Sequence, residues 1–154
     1  MAALPSVRLR ELGLELPEPA APAGTYTPAV LDGKHVFVSG QIVTHEGKAR
    51  PSGKVDRDVD LAGAKAVAAQ ATLQGLAAIA RVAGGLDRIE RILRVTVFVA
   101  SSEGFTRQHE VGNGSTELLV ALFGENGRPS RVSVGVVALP LDAPVEIDLL
   151  AQVA

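Results

Sequence analysis

An α+β domain, a six-stranded mixed sheet with two helices packed on one face, follows from three features of these 154 residues. Residues 60–83 form one alanine-rich stretch at helical spacing, bounded by aspartates before it and Gly84-Gly85 after it. Short β-branched runs lie on both sides of this stretch, and Asp32-Gly33 between two of them is a tight hairpin signal. Helices between strands demand crossovers and a hairpin demands an antiparallel part, and such a sheet satisfies both.

Residues 7–12 are weakly helical. The run Leu16-Pro17-Glu18-Pro19-Ala20-Ala21-Pro22 forbids helix, because proline fixes its own φ and restricts its predecessor. It reads as an extended surface arm, so residues 1–21 form an N-terminal extension to a single domain. Tyr26–Leu31 and His35–Ser39 are strands, and Gln41–Thr44 continues the second beyond a glycine break. Polar residues 45–58 are loop. Asp58 or Asp60 caps a helix that Gly84-Gly85 stops. Leu61, Ala64, Ala68, Ala71, Ile79 and Val82 keep its apolar face, and so much alanine permits close approach to a sheet. Arg91–Ala100 is a strand. Phe105–Phe123 is a second helix, disturbed by Gly112-Asn113-Gly114, with Asn113 or Ser115 capping its second half. Arg131–Ala138 and Val145–Val153 are the last strands. Apolar residues also mark the other sheet face, with Phe37 alternating against Val36 and Val38. Oligomerisation is the simplest cover for it.

Composition removes several function classes. Hydrophobic residues at 47% exclude a disordered chain. A net charge of -2 and 3% aromatics give neither the basic face nor the stacking surface of a nucleic-acid binder. There is no cysteine to act as thiolate or metal ligand. No signal peptide is visible, and Lys65, Gln70, Gln74 and Arg81 break the longest apolar runs, so no membrane partner is implied and a cytoplasmic location is the default. His35, His45 and His109 have no metal-ligand spacing, and nucleotide-binding and hydrolase-elbow motifs are absent.

Candidate chemistry rests on Arg131, Glu146, Asp148, Ser39 and Tyr26. On spacing alone Arg131 reads first as an exposed strand-end residue and second as a grip for a carboxylate through its planar fork. Glu146, between Val145 and Ile147, is either a partly buried carboxyl able to move protons near neutral pH or, with Asp148, the wet face of an edge strand. If the last two strands were hairpin partners, Arg131 and Glu146 would lie about 20 Å apart. They share a site only if those strands are not partners, or if neighbouring subunits bring them together.

An ordered series of segments resembles the Rid/YjgF family, the reactive intermediate deaminases, also labelled endoribonuclease L-PSP. The segments are Gly24-Thr25-Tyr26, Val36-Phe37-Val38-Ser39-Gly40-Gln41, Val82-Ala83-Gly84, Val95–Val99, and Pro129-Ser130-Arg131 through Leu139-Pro140 to Val145-Glu146-Ile147. The resemblance implies a chorismate-mutase-like fold, a homotrimer with sheets lining a central barrel and sites between subunits, and hydrolysis of enamines or imines such as 2-aminoacrylate to 2-keto acids and ammonia. It implies no metal and no organic cofactor. Arg131 would hold the substrate carboxylate and Glu146 would activate water. Tyr26 and Ser39 would line the cleft, Ser133 stands where many deaminases carry cysteine, and Asn113 is the candidate amide of the second helix. A non-catalytic carboxylate-binding trimer and a ribonuclease are the alternative functions.

Overall fold

The computed structural model describes residues 3–154. Its main sheet has the order β1 (Ala29–Asp32), β2 (His35–Gln41), β7 (Val145–Val153), β5 (Ile89–Ala100) and β6 (Ser130–Val136). Only β5 and β6 are parallel neighbours; every other adjacent pair is antiparallel. The last strand is therefore inserted between β2 and β5, and each crossover helix, α2 (Leu61–Ala83) and α3 (Gln108–Phe123), connects strands that run the same way.

The sheet has five strands among the described residues, not six. Residues 41–44 do not extend β2. Pairing slips between Val38 and Gln41, where Ser39 and Gly40 form a bulge, and β2 ends at Gln41. A separate ribbon follows, β3 (Thr44–His45) with β4 (Lys48–Ala49). The first hairpin turns at Gly33-Lys34, one residue later than expected, with Gly33 at φ 58° supplying the left-handed conformation.

Helix α2 begins where Asp60 accepts the Gly63 N–H at 2.7 Å and stops at Gly84, φ 88°. Its buried face is small, with Ala64, Ala68, Ala71 and Gly75 all in it. A Cβ on Gly75 would come within 2.7 Å of Leu149 Cδ1, so glycine here serves close packing. Helix α3 is continuous through Gly112-Asn113-Gly114, contrary to the expected disturbance. Gly114 sits directly on the Lys65 backbone of α2. Ser115 caps nothing; its buried hydroxyl bonds Thr72 Oγ1 at 2.8 Å and Ala68 O at 3.2 Å, joining the two helices. The glycines cost helix propensity of about 1 kcal/mol each, which the helix contact offsets. Gly114→Val should force α2 and α3 apart and lower stability by about 3 kcal/mol or more, read by denaturant unfolding.

Leu76, Ile79, Ile92, Leu119, Leu122 and Ile147 are wholly buried between helices and sheet. Truncating any of them to alanine would remove about 2–5 kcal/mol. Among the described residues no layer covers the opposite sheet face: Val30, Phe37, Val132 and Val134 are exposed there, Phe37 by 51%. The N-terminal residues are anchored on the helical side. Helix α1 (Pro5–Glu11) buries Leu9, and Ser6 donates both its N–H and its hydroxyl to the Asp87 carboxylate at 2.8 and 2.6 Å. Leu14 and Leu16 pack against the core, and the proline-rich arm then runs to the rim of the sheet at Tyr26 and Gly40.

Candidate active site

Arg131 is the second residue of edge strand β6, opposite Val95, whose side chain is buried under the helices. Directly opposed residues share a sheet face, so Arg131 points towards α3. Its Nη1 donates to Asn113 Oδ1 at 2.8 Å and to Thr116 Oγ1 at 3.2 Å. Gly112 makes the room: a Cβ there would press on Ser133 Oγ and lie 3.4 Å from Arg131 Nη1. The buried Ser133 hydroxyl has no hydrogen-bond partner among the described residues. No carboxylate pairs with Arg131 among the described residues, although a cavity of about 720 Å³ opens beside it between Thr116, Val120 and Pro129. The guanidinium is thus held by neutral oxygens, and the rest of its fork is free for an anion.

Glu146, the second residue of β7, is opposite Phe98. Val95 and Phe98 are three residues apart on one strand, so Arg131 and Glu146 lie on opposite faces of the sheet. Strand spacing and residue rise place their Cα atoms roughly 14 Å apart. The first condition raised by the sequence is met, since β5 lies between β6 and β7 and the two are not hairpin partners. It is not sufficient. Within one chain the pair does not share a site.

The Glu146 carboxylate lies on the backbone of Gly40, where a side chain would overlap it. Gly40 has no left-handed backbone requirement; it is glycine because the bulge brings it under Glu146. Burial first, and then the like charge of Asp148 on the same face, hold the Glu146 carboxyl above the ordinary glutamate value. It has no hydrogen-bond or cationic partner among the described residues. With Tyr26, Gln41 and the arm it lines a cavity of about 530 Å³. Tyr26 folds its ring back on Gly24, and its hydroxyl accepts the Ala23 N–H at 3.3 Å, leaving its proton available to a ligand. Gly40→Ala should unseat that carboxylate yet leave the melting temperature, read by thermal unfolding, within about 2 °C, because only the end of a flexible side chain must move.

The remaining expected site residues serve other contacts. Ser39 donates its hydroxyl to Thr27 O at 2.6 Å, fastening the segment before β1 to β2. Asn113 accepts from Arg131, so it orients the arginine; its amide hydrogens remain free. Thr116, Gly112 and Gly40 carry positioning roles that sequence reasoning missed. Spacing could have flagged Thr116, one turn beyond Gly112; nothing in the sequence tells the two glycines from helix and strand breakers.

A mixed sheet covered by helices on one face is consistent with the chorismate-mutase-like α+β fold. The chain belongs to the family described as YjgF/chorismate mutase-like, putative endoribonuclease, whose model matches residues 6–153. The arm and all of helix α1 except Pro5 therefore fall within the span of the match. Protein TCP17 of Trypanosoma cruzi is 36% identical over 148 residues, 96% of this chain and 92% of that protein. A putative endoribonuclease from Shewanella oneidensis superposes with a TM-score of 0.92 at 31% identity, covering 98% of this chain and all of that one. RidA from an Antarctic Psychrobacter superposes less closely, with a TM-score of 0.57 at 29% identity over 88% of this chain and 94% of that one.

Proposed function

We propose that this protein is a deaminase that hydrolyses reactive enamines and imines, of the 2-aminoacrylate type, to 2-keto acids and ammonia. It works as a homotrimer in which the Arg131 of one subunit and the Glu146 of the next face the same cleft. The observation that carries this reading is the complementary pair of unsatisfied charges: a guanidinium fixed by neutral oxygens and a carboxylate seated without a cation. The exposed apolar face around Phe37, Val132 and Val134 supports assembly, since a monomer would leave it wet.

In this reading 2-aminoacrylate tautomerises to the 2-imino acid, whose carboxylate takes two parallel hydrogen bonds from Arg131. The imine is taken up protonated at nitrogen, and Glu146 accepts a proton from water as the water oxygen bonds to the imine carbon, giving a neutral carbinolamine. Glu146 then returns that proton to the amine nitrogen, the hydroxyl proton passes to solvent as the carbonyl forms, and the C–N bond breaks to release ammonia. The raised carboxyl affinity for protons favours that second role. Tyr26 provides a hydroxyl on the Glu146 side of the cleft, while the Ser133 hydroxyl stays buried beneath Gly112. The endoribonuclease wording of the family description has little support in this chain, where His35, His45 and His109 are exposed on three separate elements.

The test is direct. Purified protein should accelerate keto-acid release from 2-aminoacrylate generated in situ, and should sediment as three chains. Equal rates with and without protein across several imino acids would end the deaminase reading, and a monomer at micromolar concentration would end the shared cleft.

A further inference from the structure

The cavity over Glu146 has a mixed lining. Tyr26, Gln41, Thr44 and Glu146 supply its polar groups, and among the described residues Glu146 is the only charged side chain lining it. Its apolar lining includes Ala20, Ala21 and Pro22 from the arm and Leu141 from the turn after β6. Leu141 is unusual. It adopts φ 57°, ψ 23°, a left-handed conformation that disfavours branched L-residues by about 1–2 kcal/mol. Burial does not compensate, since its side chain is 59% exposed in the subunit. Asp142 beside it is also left-handed, and the turn is held by the Gly53 N–H on Asp142 O at 2.8 Å. A strained backbone thus presents an exposed apolar side chain to a cavity, an outlier that points towards function. The arm is equally placed: α1 and its Asp87 contacts hold one end, Tyr26 accepts the Ala23 N–H at the other, and Pro17, Pro19 and Pro22 stiffen the span.

We propose that Ala20–Ala23 and Leu141 are the specificity wall of the Glu146 pocket, selecting a substrate whose substituent is uncharged and aliphatic. The proposal rests on the deaminase reading for the 2-imino acid it names. A branched aliphatic group loses water against this wall at no polar cost. A second carboxylate would meet alanine, proline and the Glu146 charge without any cation to pair with.

The test compares imino acids generated in situ from leucine and from glutamate by amino-acid oxidation, with wild-type protein, Leu141→Gly and Ala21→Arg. Wild type should favour the leucine-derived substrate at least tenfold in kcat/KM. Leu141→Gly relieves the strained turn, so it should keep its melting temperature and assembly while losing about tenfold on that substrate alone. Ala21→Arg, on the exposed arm, should raise the glutamate-derived rate at least tenfold relative to the leucine-derived one. Equal wild-type rates, selectivity unmoved in both variants, or dissociation of the Leu141→Gly assembly would each overturn the proposal, the last by making Leu141 an interface residue. If no imino acid is turned over, the deaminase reading fails separately. Thermal stabilisation by 2-oxo-4-methylpentanoate against 2-oxoglutarate then decides the wall: preference for the first supports it, and equal shifts or preference for the second reject it.

Discussion

Replacing Arg131 with alanine is expected to lower kcat/KM for 2-imino acids by about 10²–10⁴-fold, the loss of two charge-assisted hydrogen bonds at about 1.5–3 kcal/mol each. The fold should survive, because Arg131 lies on an edge strand and gives up only its contacts to Asn113 and Thr116. Arg131→Lys discriminates between charge and geometry. A lysine keeps the charge but has no planar fork and cannot reproduce parallel contacts to one carboxylate, so it should recover little of the rate. Thr116→Val is gentler: the guanidinium keeps Asn113 but loses its second oxygen, and KM should rise more than kcat falls. Keto-acid release at several substrate concentrations measures all three. Full activity in Arg131→Ala would remove the arginine from the mechanism.

Glu146→Gln carries the second large effect, about 10²–10⁴-fold in kcat, the usual contribution of a positioned acid–base group. The pH profile makes the prediction specific. Water activation needs the ionised carboxylate, so the rate falls on the acid side as Glu146 takes up a proton. Within the subunit burial and Asp148 both oppose ionisation and push that acid limb upward, against the lowering pull of the arginine that assembly brings to the cleft. Asp148→Asn removes the like charge two residues along the strand, so ionisation becomes easier and the limb moves to lower pH. An acid limb unmoved by Asp148→Asn would separate it from Glu146. The sign matters, because a limb moving upward would mean that Asp148 acts through a proton donor instead.

Local chemistry made much of this legible before any coordinates. Asp60 and Gly84 cap α2 because side-chain acceptors and left-handed glycines act over three or four residues. Alternation in Val36-Phe37-Val38 correctly separated the two sheet faces, buried valines on one and exposed Phe37 on the other. What failed was information held in distant neighbours. Gly112, Gly114 and Gly40 all look like breakers, yet each is needed because another residue sits where a Cβ would: Ser133, Lys65 and Glu146 respectively. The relation of Arg131 to Glu146 was beyond reach for the same reason. Their parity across the sheet depends on β7 lying next to β5, and no short-range signal encodes strand order. Both residues were identified, while their separation within one chain and the dependence of a shared cleft on assembly emerged only from register.

The insertion of β7 between β2 and β5 has a consequence for how the chain becomes structured. Synthesis delivers β1, β2, β5 and β6 before residues 145–153 exist. Until then the nascent sheet is two separate pieces with a vacant lane between them, and the edges facing that lane are the long, valine-rich ones. Such edges pair readily with foreign strands. Closing the lane also demands contacts spanning more than 100 positions, from His35 to Gln152, which slows folding. A ribosome-arrested fragment ending before Val145 should therefore be protease-sensitive and prone to aggregate, and the nine residues of β7, supplied as a separate peptide, are the natural candidate to rescue it.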